Sequence, residues 1–117
     1  MPKFRAYDEE TETMLDVLGF DLDDNEIWSY DQSYELNKCK IMQSTGLFDQ
    51  NGVEIYTGDI LDIKANFNRL GLVIFDHGKF KVQHVEDTAF YDFTQVLSQC
   101  EVIGNIYENK EVWEASK

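Results

Sequence analysis

Apolar and polar positions alternate along most of this chain with the period of two that marks half-buried strands. Val53-Glu54-Ile55-Tyr56 is the plainest case, with β-branched and aromatic residues at the apolar positions. It is preceded by Asp49-Gln50-Asn51-Gly52, whose Asn-Gly step predicts a type I′ hairpin turn. Thr57-Gly58-Asp59 then breaks the strand and Ile60-Leu61-Asp62-Ile63 begins another, while upstream Thr45-Gly46 predicts a further turn before Leu47-Phe48. Leu70 to Phe75 is the most hydrophobic segment. Asp76-His77-Gly78 follows as a hairpin turn, and Lys79 to Val85 alternates after it. Glu101 to Tyr107 reads as the last strand.

The amino-terminal part is patterned less strongly. Lys3 to Tyr7 and Thr13 to Val17 predict a hairpin around a polar turn, and Glu26 to Tyr30 predicts a short strand. The acidic stretch from Gly19 to Asn25 reads as a loop. Only two segments have helical spacing: Thr88 to Gln99, and Lys110 to Ala115 with Asn109 placed to cap it. The expected architecture is therefore mainly β, an SH3-like small barrel preceded by an N-terminal β-hairpin segment and followed by a short C-terminal helix. Residues 1–117 make one domain: 1–40 the hairpin and acidic loop, 41–109 the barrel core, 110–117 the terminal helix and tail.

Composition sharpens this picture. The chain has 117 residues, 43% hydrophobic and 14% aromatic, so its net charge of −13 does not argue for disorder. The charge is uneven. Residues 1–35 hold 11 acidic and 2 basic side chains, residues 36–85 hold 5 and 6, and residues 86–117 hold 7 and 2. Acidic ends around a nearly neutral centre oppose phosphate attraction, and suit a cationic partner or solubility. No segment looks like a signal peptide or a membrane span, and Cys39 and Cys100, far apart in sequence, are expected to stay reduced.

Three blocks together resemble the YopX family of small phage and prophage proteins. They are Lys3-Phe4-Arg5-Ala6-Tyr7-Asp8 with Met14 downstream, the run Met42 to Ile60, and Glu101-Val102-Ile103-Gly104-Asn105-Ile106-Tyr107-Glu108-Asn109. The central run carries Thr45-Gly46-Leu47, Asp49, Asn51-Gly52, Glu54-Ile55-Tyr56 and Gly58-Asp59-Ile60 in the family's order. Lys110 stands where family members often have proline. The resemblance implies a phage-related origin, a mainly β fold and self-association. It implies no catalytic residues.

The residues themselves offer little chemistry. His77, His84, Cys39 and Cys100 lack zinc-ligand spacing and are expected in turn and core roles. Asp59 and Asp62 beside Glu54 suggest a Mg²⁺ nuclease centre, but strand alternation sends the two aspartates to opposite faces, leaving Asp59 as a corner residue accepting backbone hydrogen bonds. Ser44-Thr45 has no histidine near it in sequence. Of the many aromatic residues, Phe67 in a loop and Trp113 in the terminal helix are read as exposed contact positions.

The expectation is thus a non-enzymatic accessory protein, without metal or cofactor, located in the cytoplasm of a bacterial host. It would form homo-oligomers and bind a basic host or phage protein through Asp21, Asp23, Asp24, Glu26, Phe67 and Trp113. Its acidic ends could then imitate nucleic-acid charge. A nucleic-acid-binding module using the neutral barrel face around Lys79 and Lys81 is the alternative, and a metal-dependent hydrolase or nuclease the third reading. Membrane association is not expected.

Overall fold

The computed structural model describes residues 3–64, 69–85, 90–91 and 93–117. Its contacts divide into two units, Met1–Ser44 and Thr45–Lys117.

In the first unit, β1 (Phe4–Asp8) and β2 (Thr13–Asp16) form the expected hairpin, with Ala6 opposite Leu15. The turn is set by Asp8, whose buried carboxylate accepts the Thr11 N–H at 3.2 Å and the Thr11 hydroxyl at 2.5 Å. A second sheet is a meander of β3 (Gly19–Asp21), β4 (Glu26–Trp28) and β5 (Ser33–Glu35). The stretch read as an acidic loop from Gly19 therefore opens with a strand, because Gly19, Phe20 and Asp21 pair with Trp28, Ile27 and Glu26. Ser33–Glu35 was not anticipated at all. A 3₁₀ turn, Leu36–Lys38, then leads into the ten-residue strand β6 (Cys39–Phe48), which pairs antiparallel with β1.

The expected turn at Thr45-Gly46 is instead an irregularity inside β6. Gly46 takes φ of 77° while the Thr45 hydroxyl accepts the Leu47 N–H and donates to the Ile55 carbonyl. Beyond it, β6 neighbours β7 (Glu54–Tyr56).

The second unit is built on β8 (Asp59–Ile63), β9 (Arg69–Asp76), β10 (Lys79–His84), β11 (Phe90–Tyr91) and β12 (Cys100–Asn105). All neighbours are antiparallel, in the order β11-β10-β9-β8-β12. The chain meanders through four strands, and the last returns beside the first of them. The sheet curls into a half-barrel, as the small-barrel expectation required. Between β11 and β12 lie a single helical turn α1 (Phe93–Val96) and a 3₁₀ turn, Leu97–Gln99. The helix anticipated over Thr88 to Gln99 is thus shortened, since Phe90–Tyr91 pairs with Gln83 and Val82 as strand; residues 86–89 and 92 fall outside the described residues.

Burial follows the alternation. Ile55, Leu61, Ile63, Val73, Val82, Phe93, Val96 and Cys100 form one core cluster. Gly71 is required where β9 crosses it, because a Cβ there would lie 2.3 Å from Val82 Cγ1 and 2.9 Å from Ile63 Cδ1. A second cluster joins Ile60 and Val85 to Trp113 of the terminal helix α2 (Lys110–Ala115). The helix spans the expected residues, but Asn109 does not cap it with its side chain. Its Oδ1 accepts the Asn105 N–H at 3.1 Å instead, in contact with the space a Cβ on Gly104 would occupy. The Asn105 side chain accepts the N–H groups of Tyr107 and Glu108, so the last strand stops at Asn105 rather than Tyr107.

The turn after β6 also differs in kind from the expectation. The Asp49 carboxylate accepts the N–H of Asn51 at 2.8 Å and of Val53 at 2.9 Å, while Gly52 N–H bonds the Asp49 carbonyl. Only Gly52 is left-handed (φ 81°), giving a three-residue loop with a closing glycine rather than a type I′ turn. The type I′ signature appears instead at His77 (φ 50°) and Gly78 (φ 80°). The second Asp49 oxygen accepts the Val102 N–H of β12 at 2.8 Å.

Burial opposes charge on the Asp49 carboxyl, but the three N–H groups from Val102, Val53 and Asn51 outweigh it and hold its pKa below the ordinary value. Asp49→Ala leaves these donors without their acceptor and is expected to cost about 2–4 kcal/mol in urea unfolding near neutral pH. A carboxyl depressed in the folded state contributes fully above its unfolded pKa of about 3.9, and that contribution fades as pH falls through the folded value. The stability gap between wild type and Asp49→Ala should therefore narrow below about pH 4; a gap that stays constant down to about pH 3 would refute this role.

Candidate functional site

Within the first unit, the three-stranded sheet sets out a defined surface. Direct cross-strand partners share a face, as do residues two apart. Ile27 of β4 is completely buried, and its neighbour across the sheet, Phe20, meets Phe4 edge-to-face at 5.6 Å. That is the inward face. The outward face therefore carries Trp28 opposite Gly19 and Ser33, and Asp21 opposite Glu26, itself opposite Glu35. Three carboxylates thus stand abreast over three strands, beside an indole that is 45% exposed.

Each side chain has a local partner. Asp21 Oδ1 accepts the N–H groups of Asp23 and Asp24, both at 3.1 Å, which closes the turn into β4. Glu26 Oε2 accepts the Trp28 indole N–H at 3.0 Å. Lys38 Nζ lies 3.6 Å from Glu35 and 3.4 Å from Glu10, and these two carboxylates raise the lysine's pKa. Asp23 and Asp24 are exposed, and Leu22 between the carboxylates is 78% exposed. Tyr30 beyond β4 is 79% exposed, and Leu18 before β3 is also open to solvent.

The residues expected to bind a partner separate accordingly. Asp21, Asp23, Asp24 and Glu26 come together on and beside this sheet. Phe67 lies outside the described residues. Trp113 is a correction: it is only 5% exposed, because α2 packs it against Ile60 and Val85, so its ring offers no contact surface. The residues missed from sequence are Trp28, read only as a strand aromatic, and Glu35. The polar-aromatic-polar pattern Ser33-Tyr34-Glu35 carried the signal for a third strand.

The catalytic candidates sit in structural places. Asp59 is completely buried and accepts the Tyr56 N–H at 2.8 Å, as a corner residue should. Asp62 is on the other side of β8, opposite Glu101, with Lys64 at 3.6 Å and 3.5 Å from the two. His77 occupies the turn, its Nδ1 2.9 Å from Asp76 Oδ1. His84 is buried, with Nε2 3.2 Å from Arg69 Nη1. Burial, with Asp8 beside it, pushes the Cys39 thiol up to about 11, and burial does the same for Cys100. Among the described residues no three His, Cys, Asp or Glu side chains are grouped to hold a metal, and no helix is long and apolar enough to cross a membrane.

A curled antiparallel sheet closed by its last strand, with a short terminal helix, places the chain among small mainly β proteins. The chain belongs to the YopX family, whose model, described as YopX protein, matches residues 3–114. Among solved structures it is similar to protein EF1440 from Enterococcus faecalis, with 30% sequence identity and a TM-score of 0.73 over 97% of this chain and 98% of that one. No curated protein matches.

The contrast between the two tryptophans can be measured. Measured relative to free tryptophan with the same ion, caesium should quench Trp28 fluorescence more strongly than iodide, because its neighbouring carboxylates attract the cation and repel the anion. Trp28→Phe should abolish this difference, leaving the weak response of buried Trp113. Equal quenching by the two ions would mean that the acidic face does not surround the indole.

Proposed function

We propose that this protein is a phage or prophage accessory protein that acts without catalysis, self-associates, and binds a basic host or phage protein in the bacterial cytoplasm. The observation that carries this reading is the outward face of the first unit, where exposed Trp28 stands among carboxylates, with exposed Leu22 and Tyr30 in the segments that flank β3 and β4. Leu22, Trp28 and Tyr30 offer contact area that water leaves readily, and Asp21, Asp23, Asp24 and Glu26 add a field that attracts cations. The YopX membership and the likeness to EF1440 fit a protein of phage type.

The nucleic-acid alternative has less support from the geometry. Of the two cations it would use, Lys81 already faces Asp76 at 3.3 Å, so a phosphate would compete with a carboxylate held in place. His77 and Lys81 together keep the Asp76 carboxyl below its ordinary pKa and therefore charged. The hydrolase reading would require Asp59 to leave its buried corner.

Two measurements test the proposal. The protein should be retained on immobilised polyarginine at low salt and released as salt rises, while passing through immobilised single- and double-stranded DNA. Retention on DNA at moderate salt would overturn it in favour of the alternative. Light scattering should give a mass above that of one chain, rising with concentration; a monomer mass at every concentration would remove self-association.

A further inference from the structure

We propose that the indole face of Trp28, on the outward side of the sheet formed by β3, β4 and β5, is the seat for an arginine side chain of an extended basic segment in a protein partner. The inference rests on the reading of this protein as a binder of basic proteins, and adds where the contact is made and which cation it takes.

The ring is held from two sides. Its six-membered part sits over Gly19, where a Cβ would come within 2.8 Å of Cε3 and 3.2 Å of Cζ3. Its N–H is fixed by Glu26 Oε2 at 3.0 Å. An exposed aromatic side chain would otherwise sample several rotamers, so these two contacts present one orientation in advance. Glycine at position 19 is explained by this packing, since its backbone is not left-handed.

Charge selects the occupant. A cation over an indole face is attracted by the ring's quadrupole, and neighbouring carboxylates add to the attraction. Asp21, Glu26 and Glu35 lie on the same face and in register, with Trp28 two residues from Glu26. Asp21 Oδ1 is engaged by its own turn and Glu35 by Lys38 at 3.6 Å, while Glu26 is the carboxylate tied to the ring itself, through its Oε2 on the indole N–H. Arginine fits better than lysine because its planar guanidinium stacks on the ring while its edge still reaches a carboxylate. Exposed Leu22 and Tyr30 supply apolar area for the rest of the segment. Residues 1–44 carry 11 acidic and 4 basic side chains, so the whole unit favours a basic segment over an acidic or neutral one.

The test uses the full chain, labelled with ¹⁵N, and a short peptide of alternating arginine and glycine at low salt. The Trp28 indole N–H resonance should shift saturably while that of Trp113 stays in place. Trp28→Leu should weaken the peptide by about two- to fivefold. Gly19→Ala keeps every charge but takes the ring's seat, and should weaken it similarly, with the surrounding amide spectrum confirming that both variants are folded. A lysine-glycine peptide should bind less tightly. If the arginine peptide binds but leaves the Trp28 resonance unmoved, or binds both variants as well as wild type, this site is wrong and the basic-partner reading survives. If no cationic peptide binds, or if an oligonucleotide moves the Trp28 resonance and the peptide does not, both fall.

Discussion

The carboxylate of Asp49 holds together parts of the second unit that no local signal would join. Two N–H groups of its own turn bind one oxygen, and the other takes the Val102 N–H, 53 residues further along the chain. Gln50 N–H adds a bond to the Cys100 carbonyl. The outer edge of β12 is thus occupied by the turn, where a bare edge would offer unpaired groups to another chain. The return of the last strand beside β8 closes a long loop, and such closure is opposed by chain entropy until fixed contacts reward it. A buried carboxylate is tolerated because both of its oxygens meet N–H donors.

The same device recurs at other strand ends. Asp59 caps the corner between β7 and β8 by accepting the Tyr56 N–H, and Asn105 folds the chain out of β12 into the terminal helix. Asp49 and Asp59 thus have structural work that accounts for the aspartates of the central run. Their carboxylates accept backbone N–H groups; of the run's glycines, Gly52 and Gly58 serve turns and Gly46 the irregularity inside β6.

Most strands were legible because one buried face imposes a period of two, and that pattern survives in Val53 to Tyr56, Ile60 to Ile63 and Lys79 to His84. Turn chemistry was less legible. Asn51-Gly52 favours a type I′ turn by backbone preference, yet the preceding aspartate captures two N–H groups and selects a longer loop. His77 takes the left-handed position that the Asn-Gly rule would have assigned elsewhere. Asn109 had the right place to cap a helix, but Asn105 N–H, brought beside it by the tight exit of β12, takes its oxygen. In each case a side-chain contact decides between local conformations that the bare sequence leaves close in energy.

The candidate surface was half legible for a related reason. Its acidic residues were visible as a charge excess, but their alignment depends on a third strand and on register, which composition does not carry. Trp113 looked exposed because a short terminal helix can only bury a side chain against strands far from it in sequence. Trp28 stood out only as one aromatic of a predicted strand, which leaves its face undecided. What separates them is the pairing Gly19 with Trp28, which turns one indole outward, and the cluster of Ile60 and Val85, which takes the other in.

The two units carry similar net charge, −7 over residues 1–44 and −6 over residues 45–117, but their carboxylates are partnered differently. In the second unit, Lys64 is shared between Asp62 and Glu101 and Lys81 faces Asp76, so three of its carboxylates are answered by ion pairs across and along strands. In the first unit, Asp23 and Asp24 have no cation partner among the described residues, and Lys38 and Lys40 are drawn to Glu10, Glu35 and Glu9. Exposed pairs of this kind contribute little stability, so the excess carboxylates are not explained by the fold. Like charges abreast on a sheet face cost some stability in isolation. A cationic partner would relieve that cost on binding, which gives the face a larger response to a basic segment than the same charges would give if scattered.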